Sequence, residues 1–138
     1  MAHWRLYYHV VWATKARAPL LTPPCRELVE RSIRSTARNE KTIVHAVGMV
    51  TDHVHVVASI PPSLAVGDVV GKMKGAATRL LNTAGPYAAD ASFGWQRDYG
   101  VYSVSERALE KVCDYVNNQE QHHDGGTMIR GLEVTESL

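Results

Sequence analysis

Residues 42–60, TIVHAVGMVTDHVHVVASI, decide the fold. Segments 42–49 and 52–60 are rich in β-branched residues that suit a pleated surface, and a tight turn near Val50-Thr51 separates them. This pattern predicts a hairpin in the middle of the chain. Pro61-Pro62 ends its second strand, because proline has no N–H to give to a ladder. Working outward, residues 4–14 (WRLYYHVVWAT) predict an earlier strand. Thr22 is a candidate N-cap, with Pro23-Pro24 in the first turn of a helix that runs to about Glu40 and carries Leu28, Val29, Ile33 and Ala37 along one side. After the hairpin, Val66, Val69, Val70, Met73 and Ala77 recur at helical spacing within residues 64–84, and Gly85-Pro86 closes that helix. Residues 87–94 read as loop, 96–104 as a fourth strand, and about 105–123 as a last helix stopped by Asp124-Gly125-Gly126. The order βαββαβ plus a helix predicts an α+β fold: a ferredoxin-like (split-βαβ, RRM-like) antiparallel sheet with two helices on one face and a C-terminal helix. The other face is then available for chemistry.

Bulk composition narrows the class without naming a function. The chain has 138 residues, 45% apolar and 21% charged, which suits one globular domain spanning 1–138. Cys25 and Cys113 fit no metal spacing and read as reduced thiols. The start shows no apolar leader and no run approaches membrane-spanning length, so a cytoplasmic protein without membrane attachment is expected. A net charge of +1 leaves any nucleic-acid surface to clustered cations. No G-x-x-x-x-G-K-[ST] segment appears, which agrees with a chain that takes no nucleotide cofactor.

Two local patterns carry chemistry. In Asp52-His53-Val54-His55, residues two apart on a strand share a face, so both imidazoles can point at one divalent cation. On spacing alone they are as readily two satisfied polar groups. In the last helix, Lys111, Tyr115, Gln119 and His122 fall on one side, with Leu109, Val112 and Val116 as an adjoining apolar stripe. A phenol and a carboxamide one turn apart can address a shared target. Alternatively, Tyr115 is an amphipathic boundary residue and Gln119 is solvated.

Taken together and in order, these segments resemble the single-tyrosine HUH transposases, the enzymes of the smallest bacterial insertion sequences and their REP-associated relatives. The resemblance runs through Tyr8-His9-Val10-Val11-Trp12-Ala13-Thr14-Lys15, Thr51-Asp52-His53-Val54-His55 and Lys72-Met73-Lys74-Gly75-Ala76-Ala77-Thr78-Arg79. It continues in Trp95-Gln96-Arg97-Asp98-Tyr99-Gly100 and Tyr115-Val116-Asn117-Asn118-Gln119. Val50-Thr51 stands where many members carry Met-Pro, a change in the turn and not in a ligand.

The resemblance implies a metal-dependent single-stranded DNA transposase that cleaves and rejoins hairpin-bearing ends through a 5′-phosphotyrosine intermediate. It implies Tyr115 as nucleophile and His53, His55 and Gln119 as ligands of Mg²⁺ or Mn²⁺. The expected partner is single-stranded DNA with subterminal hairpins, and a homodimer with the tyrosine helix acting in trans is expected. Arg5, Lys15, Arg17, Lys72, Lys74 and Arg79 are candidate phosphate contacts, and Trp12, Trp95 or Tyr99 candidate stacking surfaces. Two alternatives remain open: a non-catalytic nucleic-acid-binding module on the same sheet, and a zinc hydrolase drawing on His122, His123 and Asp124.

Overall fold

A computed structural model describes residues 3–118. Four strands, β1 (Tyr7–Ala13), β2 (Ile43–Met49), β3 (His53–Ser59) and β4 (Gly100–Val104), form one sheet in the order β2-β3-β1-β4, antiparallel at every neighbour. Helices α1 (Pro23–Asn39) and α2 (Val66–Thr83) connect the strands, and α3 (Leu109–Asn117) follows β4 after a 3-10 turn. This is the expected ferredoxin-like arrangement.

Strand alternation divides the sheet into two unlike faces. Val10 and Trp12 of β1 pair with Val56 and Val54 of β3. These four join Val29 and Ile33 of α1 and Val69, Met73 and Leu81 of α2 in the main core. Each fully buried aliphatic side chain there contributes about 1.5–3 kcal/mol of hydrophobic stabilisation. The opposite face carries His9, Val11, His53, His55 and Val57, all buried. Helix α3 covers part of it, packing against β2 and β3 through a second cluster of Ala46, Val57, Tyr115 and Val116. The sheet is therefore a middle layer, and its second face is partly roofed by the chain's own last helix.

Several boundaries differ from the sequence expectation, each for a local reason. Thr22 sits at the N-cap of α1 but makes no side-chain capping bond, so Pro23-Pro24 provides the start signal. In β2 the register shifts between Val44 and Ala46, which makes His45 an extra residue. Val44 therefore rejoins Val47 and Met49 on the helix-covered face, while Ala46 and Gly48 face the other way. The fourth strand begins at Gly100 and not near Gln96. The Lys74 ammonium donates to the carbonyls of Gln96, Arg97 and Asp98 at 2.7, 3.1 and 3.1 Å, and this clamp draws the segment toward α2. Trp95 helps, donating its indole N–H to the Lys74 carbonyl at 3.1 Å. The predicted helix over 105–123 resolves into a 3-10 turn at Glu106–Ala108 and α3, its remainder lying outside the described residues.

Candidate metal and tyrosine site

The turn before β3 is fixed by neighbouring backbone. Thr14 and Leu21 donate their N–H groups to the carbonyls of Asp52 and Thr51, each at 2.9 Å. Just after β1, Ala16 and Arg17 have φ of 55° and 53°, left-handed conformations that cost roughly 1–2 kcal/mol each for non-glycine residues. That bend brings Arg17 Nε within 3.3 Å of Asp52 Oδ2.

His53 and His55 emerge side by side, with ring centroids 5.0 Å apart. Two imidazoles that bind one ion at about 2.1 Å and near right angles stand with centroids roughly 5 Å apart, so the spacing fits a shared cation. Each ring is also engaged at Nδ1. His53 Nδ1 lies 2.8 Å from Asp52 Oδ1, and His55 Nδ1 lies 2.7 Å from His9 Nε2. With the proton on Nδ1 in both rings, both Nε2 lone pairs become available to a cation, the usual arrangement for ligating histidines. Arg17 Nη2 also comes within 3.5 Å of His53 Nδ1, but a guanidinium can only donate, so Asp52 is the acceptor. Partial burial pushes the Asp52 carboxyl up. Hydrogen bonding and electrostatic attraction from His53, with the Arg17 guanidinium beside it, outweigh this and hold the carboxyl below its ordinary value. Asp52 thus stays ionised and able to orient His53.

Tyr115 reaches this face from α3. It is 3% exposed and packs with Ala46 and Val57, which are paired across β2 and β3. Val57 is two residues beyond His55 on the same face, so the tyrosine and the imidazoles occupy adjoining parts of one surface. Tyr115 is therefore not an amphipathic boundary residue: it belongs to the apolar cluster that seats the helix. Gln119 lies outside the described residues, as do His122, His123 and Asp124. Among the described residues no group of three or more His, Cys, Asp or Glu side chains is placed to hold a metal.

The candidate DNA contacts do not gather in one patch. Lys15 is exposed next to Gly94, and Arg17 is engaged at Asp52. Arg79 is exposed on α2 with Lys72, which pairs with Glu40 at 2.9 Å, beside a groove between α1 and α2. Arg5 pairs with Glu106 at 2.6 Å on the surface. The Lys74 ammonium is committed to three carbonyls, which leaves it a fold-organising role. Trp12 is wholly buried edge-on to Trp95 and offers no stacking surface, and Trp95 and Tyr99 pack against the main core.

Two site residues escaped the sequence reading of roles. Asp52 carries no role of its own in the sequence motif, although its adjacency to His53 is a usable signal. His9 was a polar residue in an apolar strand, and its meeting with His55 depends on a β1·β3 register that one strand alone does not encode.

Comparison with known proteins adds independent findings. Residues 2–119 match the family model described as transposase IS200 like. The chain is 28% identical over 119 residues to the ISDra2 transposase TnpA of Deinococcus radiodurans, covering 84% of this chain and 85% of that protein. It is 26% identical over 137 residues to the transposase for insertion sequence element IS200 of Salmonella typhimurium, covering 94% and 88%. Among solved structures, a protein described as a transposase from Deinococcus radiodurans superposes with a TM-score of 0.69 at 27% identity, covering 86% of this chain and 93% of that one. A REP-associated tyrosine transposase bound to a REP hairpin gives 0.65 at 14% identity, covering 89% and 74%, a likeness of fold.

Proposed function

The chain belongs to the IS200-like transposase family, and from that premise we propose that it cleaves and rejoins single-stranded DNA bearing subterminal hairpins, with Tyr115 as nucleophile. The observation that carries this reading is the seating of Tyr115 on Val57, on the same sheet face as His53 and His55. The likeness in fold to a relative bound to a hairpin suggests the substrate class. Mn²⁺ or Mg²⁺ would be held by His53, His55 and Gln119, and when bound would supply positive charge beside a non-bridging phosphate oxygen. Two imidazoles with one amide oxygen favour Mn²⁺ of the two.

The remaining steps belong to the chain's own groups. The Tyr115 hydroxyl gives its proton to solvent and its oxygen attacks phosphorus, forming a 5′-phosphotyrosine ester while the P–O3′ bond breaks and the leaving 3′-oxygen takes a proton from solvent. The departing strand keeps a 3′-OH. Because the ester retains the free energy of the broken bond, a second 3′-OH can attack it, restoring the tyrosine and joining a new strand without nucleotide hydrolysis. Asp52 and Arg17 hold His53 in place, and burial of the imidazoles excludes bulk water from their Nδ1 side. A homodimer remains part of this proposal; because α3 seats Tyr115 on its own sheet face here, action in trans would require that helix to exchange onto the partner's sheet. The non-catalytic alternative loses support from the buried histidine face, which offers no aromatic platform on β3.

The test is covalent capture. Incubated with Mn²⁺ and a hairpin-bearing single strand, the protein is expected to run as a DNA adduct on a denaturing gel. Tyr115→Phe should abolish the adduct and keep hairpin binding. Undiminished cleavage by this variant would refute the assignment.

A further inference from the structure

We infer that His9 is a positioning residue, whose imidazole sets the tautomer of His55 and aims His55 Nε2 at the cation site. This rests on the function proposed above. His9 and His55 are both 0% exposed, and their rings lie nearly parallel, 19° apart with centroids at 5.0 Å. They come from different strands. His9 is paired with Val57 and His55 with Val11, so the two are diagonal neighbours across β1 and β3, a separation that long side chains can bridge.

The 2.7 Å contact between His9 Nε2 and His55 Nδ1 admits one proton. If His9 donates it, His55 Nδ1 is the acceptor and the His55 proton moves to Nε2, which then cannot ligate. If His55 donates it, Nε2 keeps its lone pair. Only the second arrangement serves a metal site, and it requires a neutral His9 with Nε2 as acceptor. Tyr102 stands on the other side of the His9 ring at 6.1 Å, with its own ring above Gly100, where an added Cβ would meet it at 3.2 Å. That packed wall limits how far His9 can turn away.

The two candidate ligands are thus oriented by chemically different groups. Asp52 gives His53 an ionised acceptor, and His9 gives His55 an uncharged one. The second arrangement fixes a ring without adding another negative charge to a site that must receive a phosphodiester.

Two measurements on the full chain test this. In the metal-free wild type, long-range ¹H–¹⁵N correlation of the histidine rings should show His55 protonated at Nδ1 and unprotonated at Nε2. The opposite tautomer would overturn the inference, whatever any variant does. In the second, Mn²⁺ affinity is read directly by electron paramagnetic resonance. His9→Phe, which keeps a ring and loses the acceptor, should weaken it about 10- to 100-fold. His9→Gln, whose carboxamide oxygen can accept the same proton, should return it to within about three-fold of wild type. Both should bind hairpin DNA normally in chelator. Wild-type affinity in a folded His9→Phe protein defeats the role of His9 alone. Mn²⁺ binding that survives His53→Ala with His55→Ala defeats the function proposed above and leaves the tautomer measurement standing.

Discussion

The two faces of the sheet are built from alternate residues of the same strands, yet they obey different rules. Val10, Trp12, Val54 and Val56 lie under α1 and α2 and need only shape and apolarity. His9, His53 and His55 are equally buried, although a buried polar group costs free energy unless it is hydrogen-bonded. Their bonds to one another and to Asp52 offset that cost without contributing a hydrophobic gain. The contrast teaches that burial marks stability on one face and, under the proposed function, chemistry on the other, and substitutions should separate the two.

The largest expected effect lies on the packed face. Trp12→Ala should lower unfolding free energy by about 3–5 kcal/mol in urea titration, and a loss below 1 kcal/mol would erase the distinction drawn here. Next comes the histidine face. Saturating Mn²⁺, at about 100 times its dissociation constant, should stabilise the wild type by roughly 2.7 kcal/mol. His53→Ala with His55→Ala should remove all of that gain, as thermal melts with and without metal would reveal. A smaller change is expected at the clamp between α2 and the loop ahead of β4. There Lys74→Met removes a charged donor and should cost about 2 kcal/mol, with faster amide exchange across 96–99; unchanged exchange would mean that the loop is held by other bonds.

The smallest effect is a pH dependence at His45, whose Nε2 lies 2.7 Å from Ser59 Oγ. Burial lowers its pKa below the ordinary 6.5, so the folded chain resists a proton that the unfolded chain accepts. Its contribution is whole above about pH 6.5 and is lost as pH falls through that value toward the lowered one. His45→Gln should flatten this part of the stability profile, and an unaltered slope would remove His45 as its source.

How much of this was legible in advance depended on whether the signal was local. The apolar alternation of β1 and β3 and the helical spacing of Val66, Val69, Met73 and Ala77 are properties of short windows, and they gave the element order and the main core. The H-x-H pair and Tyr115 were visible for the same reason. The Lys74 clamp was not, because a lysine on a helix carries no mark of the carbonyls 22–24 residues away that it will meet. The His9–His55 contact spans 46 residues and appears only once β1 and β3 are in register. Whether Trp12 belongs to the core or to a stacking surface is open in the sequence, because aromatic residues suit a core and a DNA groove equally well.

The surplus residue in β2 has a consequence for how copies of the chain meet. As a border strand, β2 would otherwise present an even row of amides onto which a foreign strand could zip. The kink at His45 breaks that spacing next to Ile43, which is 58% exposed and the most inviting point for such growth. An irregularity that turns Val44 toward the core therefore also spoils the template from which fibrous aggregation would start.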